Sequence, residues 1–173
     1  NGHSYAEKTT NNTNFALLVS EKFTEPFKEP IQYGQHIARL ANMLGGGILV
    51  QRFGDLLDGR RSTPERIKSS VLTPTLTCAT PGDLSLVIPY RQMTSIIEML
   101  YALDKICPGT ASRYTLLYGI EVKFYSARVK LTNELETEGV KNLFTIGDGA
   151  GVTRGLIQAS ASGVHVARTI CSR

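Results

Sequence analysis

The chain has 173 residues, 42% hydrophobic and 20% charged, enough to bury the core of one domain or of a domain with part of a second. Nineteen Lys and Arg against fifteen Asp and Glu leave a formal charge of +4. The nearest approach to a basic run, Arg60-Arg61 with Arg66 and Lys68, reads as a solvated face, so nucleic-acid binding is set aside. No stretch approaches the ~20 apolar residues of a membrane span, and the first residues carry no apolar signal-peptide core.

In chain order, residues 15–19 (Phe-Ala-Leu-Leu-Val) predict a strand, and Pro26 and Pro30 bound the loop after it. Residues 31–44 predict a helix with Ile37, Leu40, Ala41 and Leu44 on one face and Gly45 placed to end it. Ile48, Leu49 and Val50 predict a second strand, Gln51 and Arg52 its return to polar surface, and residues 55–62 a polar turn region. Thr63 before Pro64 supplies a cap and first position for a short helix reaching Ser69. Pro74, Pro81 and several threonines make residues 71–82 extended and irregular, the kind of loop that touches a substrate.

Residues 84–88 predict a third strand, and residues 91–106 the clearest helix. Met93, Ile96, Ile97, Leu100 and Leu103 form that helix's core face, and Pro108-Gly109 stops it. Residues 118–125 alternate, with Ile120, Val122 and Phe124 on one side and Glu121, Lys123 and Tyr125 on the other. With residues 129–132 they predict an antiparallel pair leading to an apolar strand at Leu143, Phe144 and Ile146. A last helix over residues 153–170 carries Ala159, Ser160, Ala161, Ser162 and Gly163, small enough for another backbone or a flat ligand to approach.

Between that strand and that helix stands Gly147-Asp148-Gly149-Ala150-Gly151. Its glycines allow a sharp turn and a close approach to a ligand, and N–H groups at the start of the next helix favour a phosphate. A carboxylate at the strand end, Asp148, suits a sugar-type hydroxyl. The spacing is not G-x-G-x-x-G: from Gly149 the last required glycine falls on Arg154, and from Gly147 on Val152. A plain tight turn between strand and helix answers the same pattern.

On the Gly147-Asp148-Gly149-Ala150-Gly151 motif the chain resembles, over about residues 118–167 and less distinctively residues 14–59, a bacterial family of FAD-dependent dehydrogenases related to larger two-domain flavoproteins. In such flavoproteins a C-terminal Gly-Asp motif completes an FAD site begun by an N-terminal Rossmann unit. The resemblance implies that Asp148 contacts the ribityl or pyrophosphate region and that Val152, Thr153, Arg154 and Gly155 lie beside the flavin ring. It also implies that the chain is the C-terminal portion of a longer cytoplasmic oxidoreductase whose N-terminal half is the partner of this turn. Alone, the portion is expected to be inactive and to hold FAD weakly or not at all. The fold expected is α+β: a substrate or cap-type domain over residues 1–117, and the C-terminal strand-turn-helix of a Rossmann-like FAD domain over residues 118–173.

Catalytic residues do not emerge from the sequence. His3, His36 and His165 are dispersed, and Glu134, Glu136 and Glu138 read as a solvated acidic stretch. Cys78, Cys107 and Cys171 are odd in number and lack C-x-x-C spacing, which suggests neither a disulfide framework nor a zinc site and fits a reducing compartment. In a flavin enzyme the hydride chemistry belongs to the cofactor. Candidates for contact with a small-molecule substrate are Tyr90, Arg91, Tyr118 and Lys123, with Arg154 nearest the cofactor turn. A guanidinium at a helix start opposes the dipole unless an anion offsets it, so Arg154 is expected at a ligand anion, in solvent or on Asp148. If the turn packs on an absent half, Ile146, Val152 and Leu156 are left uncovered and favour self-association. The competing class is a non-catalytic module whose glycine turn binds another phosphate-containing ligand or a protein partner.

Overall fold

The computed structural model describes residue 7 and residues 10–172. Its described residues form an α+β structure with five α-helices and one mixed sheet of three strands. The chain divides into two compact units, Asn1–Val122 and Lys123–Arg173.

The first unit holds α1 (Pro30–Gly45), β1 (Leu49–Arg52), α2 (Phe53–Leu57), α3 (Pro64–Lys68), β2 (Thr80–Pro81), α4 (Tyr90–Asp104) and β3 (Leu116–Gly119). Pro30 opens α1 with its φ already set, and Gly46, at φ 66°, closes it by donating its N–H to the carbonyl of Asn42 at 2.7 Å. β1 is the central strand, parallel to β2 and antiparallel to β3, with Leu49 opposite both Thr80 and Gly119. Thr80 and Gly82 donate their N–H groups to the β1-side carbonyls of Ile48 and Val50 at 2.8 and 3.0 Å.

Leu49 and Phe53 pack with Ala41 of α1, Leu84, Val87, and Met93 and Leu100 of α4, as the helical periodicities of α1 and α4 require. Phe53 is fully buried and meets Tyr101 edge-on with ring centroids 5.8 Å apart. A phenyl ring buried this way contributes about 1.5 to 3 kcal/mol.

Several expected elements are replaced. Residues 15–19 form no strand; Leu17 packs partly on the core while Phe15 and Leu18 stay exposed. Residues 84–88 give a short 3-10 turn, Leu84–Leu86, because side chains claim the N–H groups a ladder would use: Gln51 Oε1 accepts from Leu84 at 2.8 Å and Asp83 Oδ1 from Ser85 at 2.9 Å. Of the alternating run at residues 118–125, only Tyr118 and Gly119 lie in a strand, since β3 is paired along β1 and β1 offers partners no further. This pairing ties Tyr118 to the first unit.

Part of the region expected to be polar surface is buried polar interior. Gln51 is fully buried, its amide donating to the carbonyl of Arg60 at 2.9 Å and to Asp83 Oδ1 at 3.2 Å. Asp55, in α2 and 1% exposed, accepts from Ser62 Oγ at 2.8 Å, Arg60 Nε at 2.9 Å and Arg66 Nη1 at 3.1 Å. Ser62 Oγ in turn accepts the backbone N–H of Arg52 at 2.8 Å. Thr63 caps α3 as expected, accepting from the N–H of Arg66.

Burial works against ionising Asp55, but the Ser62 hydroxyl, Arg60, Arg52 and Arg66 outweigh it and hold its carboxyl below the ordinary value. The folded-state pKa therefore lies below the unfolded one, near 3.9, so the stabilisation is complete above that value and is lost as pH falls through the lower folded value. Melting temperature is expected to hold from neutral pH to about 5 and then to fall steeply. Asp55→Asn should flatten that acid limb and cost roughly 2 to 4 kcal/mol at neutral pH, because Arg60 and Arg66 lose their buried partner while remaining partly screened by water. Thermal melts of both proteins across the acid range check this; parallel acid limbs would refute it.

Candidate functional site

The glycine turn lies wholly within the second unit. It is approached not by a strand but by a looped segment with single-residue bridges, Leu131 to Thr137 and Glu136 to Phe144. Leu135 and Asn142, at φ 63° and 62°, reverse the backbone, and Thr137 and Thr145 donate their N–H groups to the carbonyls of Leu143 and Leu135 at 2.7 and 3.2 Å. These bonds take groups that the expected strand at Leu143, Phe144 and Ile146 would have used, and the N–H groups of Val129 and Thr132, given to the carbonyls of Ala150 and Glu136, are likewise lost to the expected pairing of residues 129–132. Glu136 is engaged as well, Oε1 accepting the N–H of Asn142 at 2.6 Å.

Gly147 then turns at φ 73°, Asp148–Ala150 form one 3-10 turn, and Gly151 reverses the chain at φ 69°. The last helix, α5 (Leu156–Cys171), starts three residues later than the sequence suggests, with Gly155 as its cap at φ 127°. The turn is fastened to α5 by the buried hydroxyl of Ser162, which accepts the N–H of Gly147 at 3.0 Å and donates to the carbonyl of Ala159 at 2.6 Å.

Gly151 needs to be glycine because the turn approaches its own chain. A Cβ there would stand 2.9 Å from Cα of Arg128 and 3.1 Å from the carbonyl oxygen of Ala127. A Cβ on Gly149, by contrast, would meet nothing within 4 Å. Of the two, only Gly149 offers free backbone to a ligand.

Asp148 is committed within the turn. Its Oδ1 accepts from Thr153 Oγ1 at 2.7 Å, and both carboxylate oxygens accept the N–H of Gly155 at 3.3 Å. The anion at the positive end of α5 is thus the chain's own carboxylate, placed where a helix start stabilises negative charge. Arg154 stays exposed, with its guanidinium over the ring of Tyr125, 3.8 Å from the centroid. Such a contact is worth about 0.5 to 1 kcal/mol at an exposed site and offsets the unfavourable dipole. Beside the turn runs a groove of about 500 Å³, lined by Val152 and by the segment from Arg128 through Asn133, which brings Arg128 and Lys130 to its wall.

Asp148, Thr153 and Gly155 are therefore brought together, as are Arg154 and Tyr125. The substrate candidates are dispersed. Tyr90 and Arg91 stand exposed in the first turn of α4, Tyr118 lies in β3 with its phenol pKa raised by burial, and Lys123 belongs to the second unit. His165 Nε2 lies 3.3 Å from the carbonyl oxygen of Asn133, His36 stands in α1, and His3 lies outside the described residues. Tyr125 and Ser162 hold the turn in roles that sequence reasoning misses; the small-residue run around Ser162 is the one signal that points to it. Cys78, Cys107 and Cys171 are exposed free thiols. Among the described residues no helix is long and apolar enough to cross a membrane.

The two glycines separate fold from access. Gly151→Ala is expected to cost about 2 kcal/mol, from left-handed strain and from the contact with Arg128, while Gly149→Ala should change stability by no more than about 0.5 kcal/mol. Chemical denaturation of the two variants checks the contrast, and equal losses would remove it.

No protein-family model matches the chain. It is 32% identical to an uncharacterised protein of Clostridium beijerinckii, in an alignment of 184 residues that covers all of this chain and 33% of that protein. The chain thus spans about a third of the length of the curated relative it matches.

Proposed function

We propose that the chain is the C-terminal part of a longer cytoplasmic FAD-dependent oxidoreductase acting on a small molecule, and that residues 147–155 supply the second half of its flavin site. The observation that carries this reading is the prefolded turn: Gly147, Asp148 and Gly151 are locked by bonds within the unit, and Gly149 is left with open backbone at its tip. A turn held this way costs little further ordering when a ligand docks on it.

Three further observations support the reading. Leu156 and Ile157, the first residues of α5, are 86% and 80% exposed, an apolar edge suited to packing against another part of a larger protein. The matched relative, three times as long, has room for such a part. Exposed free thiols accord with a reducing compartment.

FAD, when bound, supplies the hydride chemistry. The chain's own residues then have narrower tasks. Gly149 admits the cofactor, Asp148 and Thr153 hold the turn rigid, and Arg128 and Lys130, which share the groove wall with Glu138, offer cations to its anionic groups.

The test is flavin absorbance of the full-length protein. The reading expects a yellow protein, or one that turns yellow on reconstitution with FAD; a protein that stays colourless under both conditions sinks it. Gly149→Val should lower FAD retention at least tenfold, equivalent to about 1.4 kcal/mol, without lowering the melting temperature of the apoprotein. Asp148→Asn, which keeps an acceptor for Thr153, should weaken FAD retention by a comparable factor.

A further inference from the structure

The C-terminal end of β1 carries positive charge that the first unit leaves unspent. Asp55 is shared by Arg60 and Arg66, and Asp58 by Arg60 and Arg113, whose Nη2 atoms lie 3.1 and 2.6 Å from Asp58 Oδ2. Both carboxylates are thus used twice. Asp83, the next acid in the network, is taken up by Gln51 and by the N–H and hydroxyl of Ser85. Arg52 remains. Its guanidinium lies over the ring of Tyr114, 5.2 Å from the centroid, and its Nε is buried without a hydrogen-bond partner among the described residues.

A guanidinium fork matches a carboxylate or phosphate geometrically, and with Nε shut off from solvent an oxyanion would meet the Nη nitrogens. The backbone of Arg52 is held by Ser62 and by pairing with Leu116, and its side chain is backed by Tyr114, so the fork is positioned before a ligand arrives. We propose that Arg52, next to the ion-paired network of Arg60, Arg66 and Arg113 with Asp55 and Asp58, forms a binding site for the oxyanion group of a small molecule, a carboxylate or a phosphate. This site stands on the first unit alone and holds whether or not the flavin reading does.

The experiment measures the melting temperature of the full-length protein in inorganic phosphate and in succinate, each against sodium chloride at matched ionic strength. A ligand that binds only the folded state raises the melting temperature with concentration. An upward shift of several degrees is expected in at least one oxyanion, and the larger shift identifies the group. It should vanish in Arg52→Gln and persist in Arg61→Gln, which alters an exposed neighbouring cation outside the network. No shift beyond chloride, or an equal shift in Arg52→Gln, overturns the proposal. Should Arg52→Gln fail to fold, the wild-type protein is modified with phenylglyoxal and its labelled arginines are located by peptide mass spectrometry. Protection of Arg52 but not of Arg61 by the oxyanion supports the site, and equal labelling of Arg52 with and without it refutes it.

Discussion

The first unit is organised around a charge that has been taken out of water. Asp55 is all but inaccessible, and an isolated carboxylate in that position would not stay ionised. Ser62, Arg60 and Arg66 are what allow it to, and satisfying them fixes much else. Ser62 must lie beside Arg52, which brings the loop after α2 against β1, and Arg60 must present its carbonyl to Gln51. A four-residue strand is in this way tied to its surroundings by side chains as much as by the sheet ladder. Removing the carboxylate would leave Arg66, the Nε of Arg60 and a hydroxyl without their acceptor, which makes the network cooperative and not a sum of separate bonds.

The second unit solves a related problem at its turn. The start of α5 has N–H groups to satisfy and a Gly at the cap with no side chain to satisfy them. Asp148 reaches across from the other side of the turn and accepts one of them, the N–H of Gly155, while Thr153 orients it and Ser162 holds the near side. The carboxylate that the family resemblance assigns to a cofactor is thus part of the scaffold that would present one. On the proposed reading a residue in that position would have two constraints on it, and substitutions there would act on both.

What could be read from the sequence follows from the range of the forces involved. α1, α4 and the body of α5 are legible because their apolar residues repeat with the helical period, and that signal is local. The Thr63-Pro64 cap is local too. Residues 84–88 look like a strand because their composition is apolar, and they turn because Gln51, far back in the chain, accepts the N–H of Leu84. Gln51 and Asp55 look like surface for the same reason in reverse: nothing in a sequence shows that a polar residue will find its partners inside. At the candidate site the glycine motif is plain, but the reason for each glycine is not. Gly151 answers to Arg128 and Gly149 to open space, a distinction that depends on where the looped segment before the turn comes to rest.

The short strand β2 also has a bearing on how the chain avoids its own kind. In a parallel pairing alternate residues direct their N–H groups inward, and Thr80 and Gly82 do so towards β1. Pro81, between them, faces the other way, at the position where an edge strand would offer its next donor to a stranger. Proline has none to give. The sheet is therefore capped along that border by a missing atom, and growth of the sheet by addition of another chain is discouraged at the place where its edge is otherwise bare.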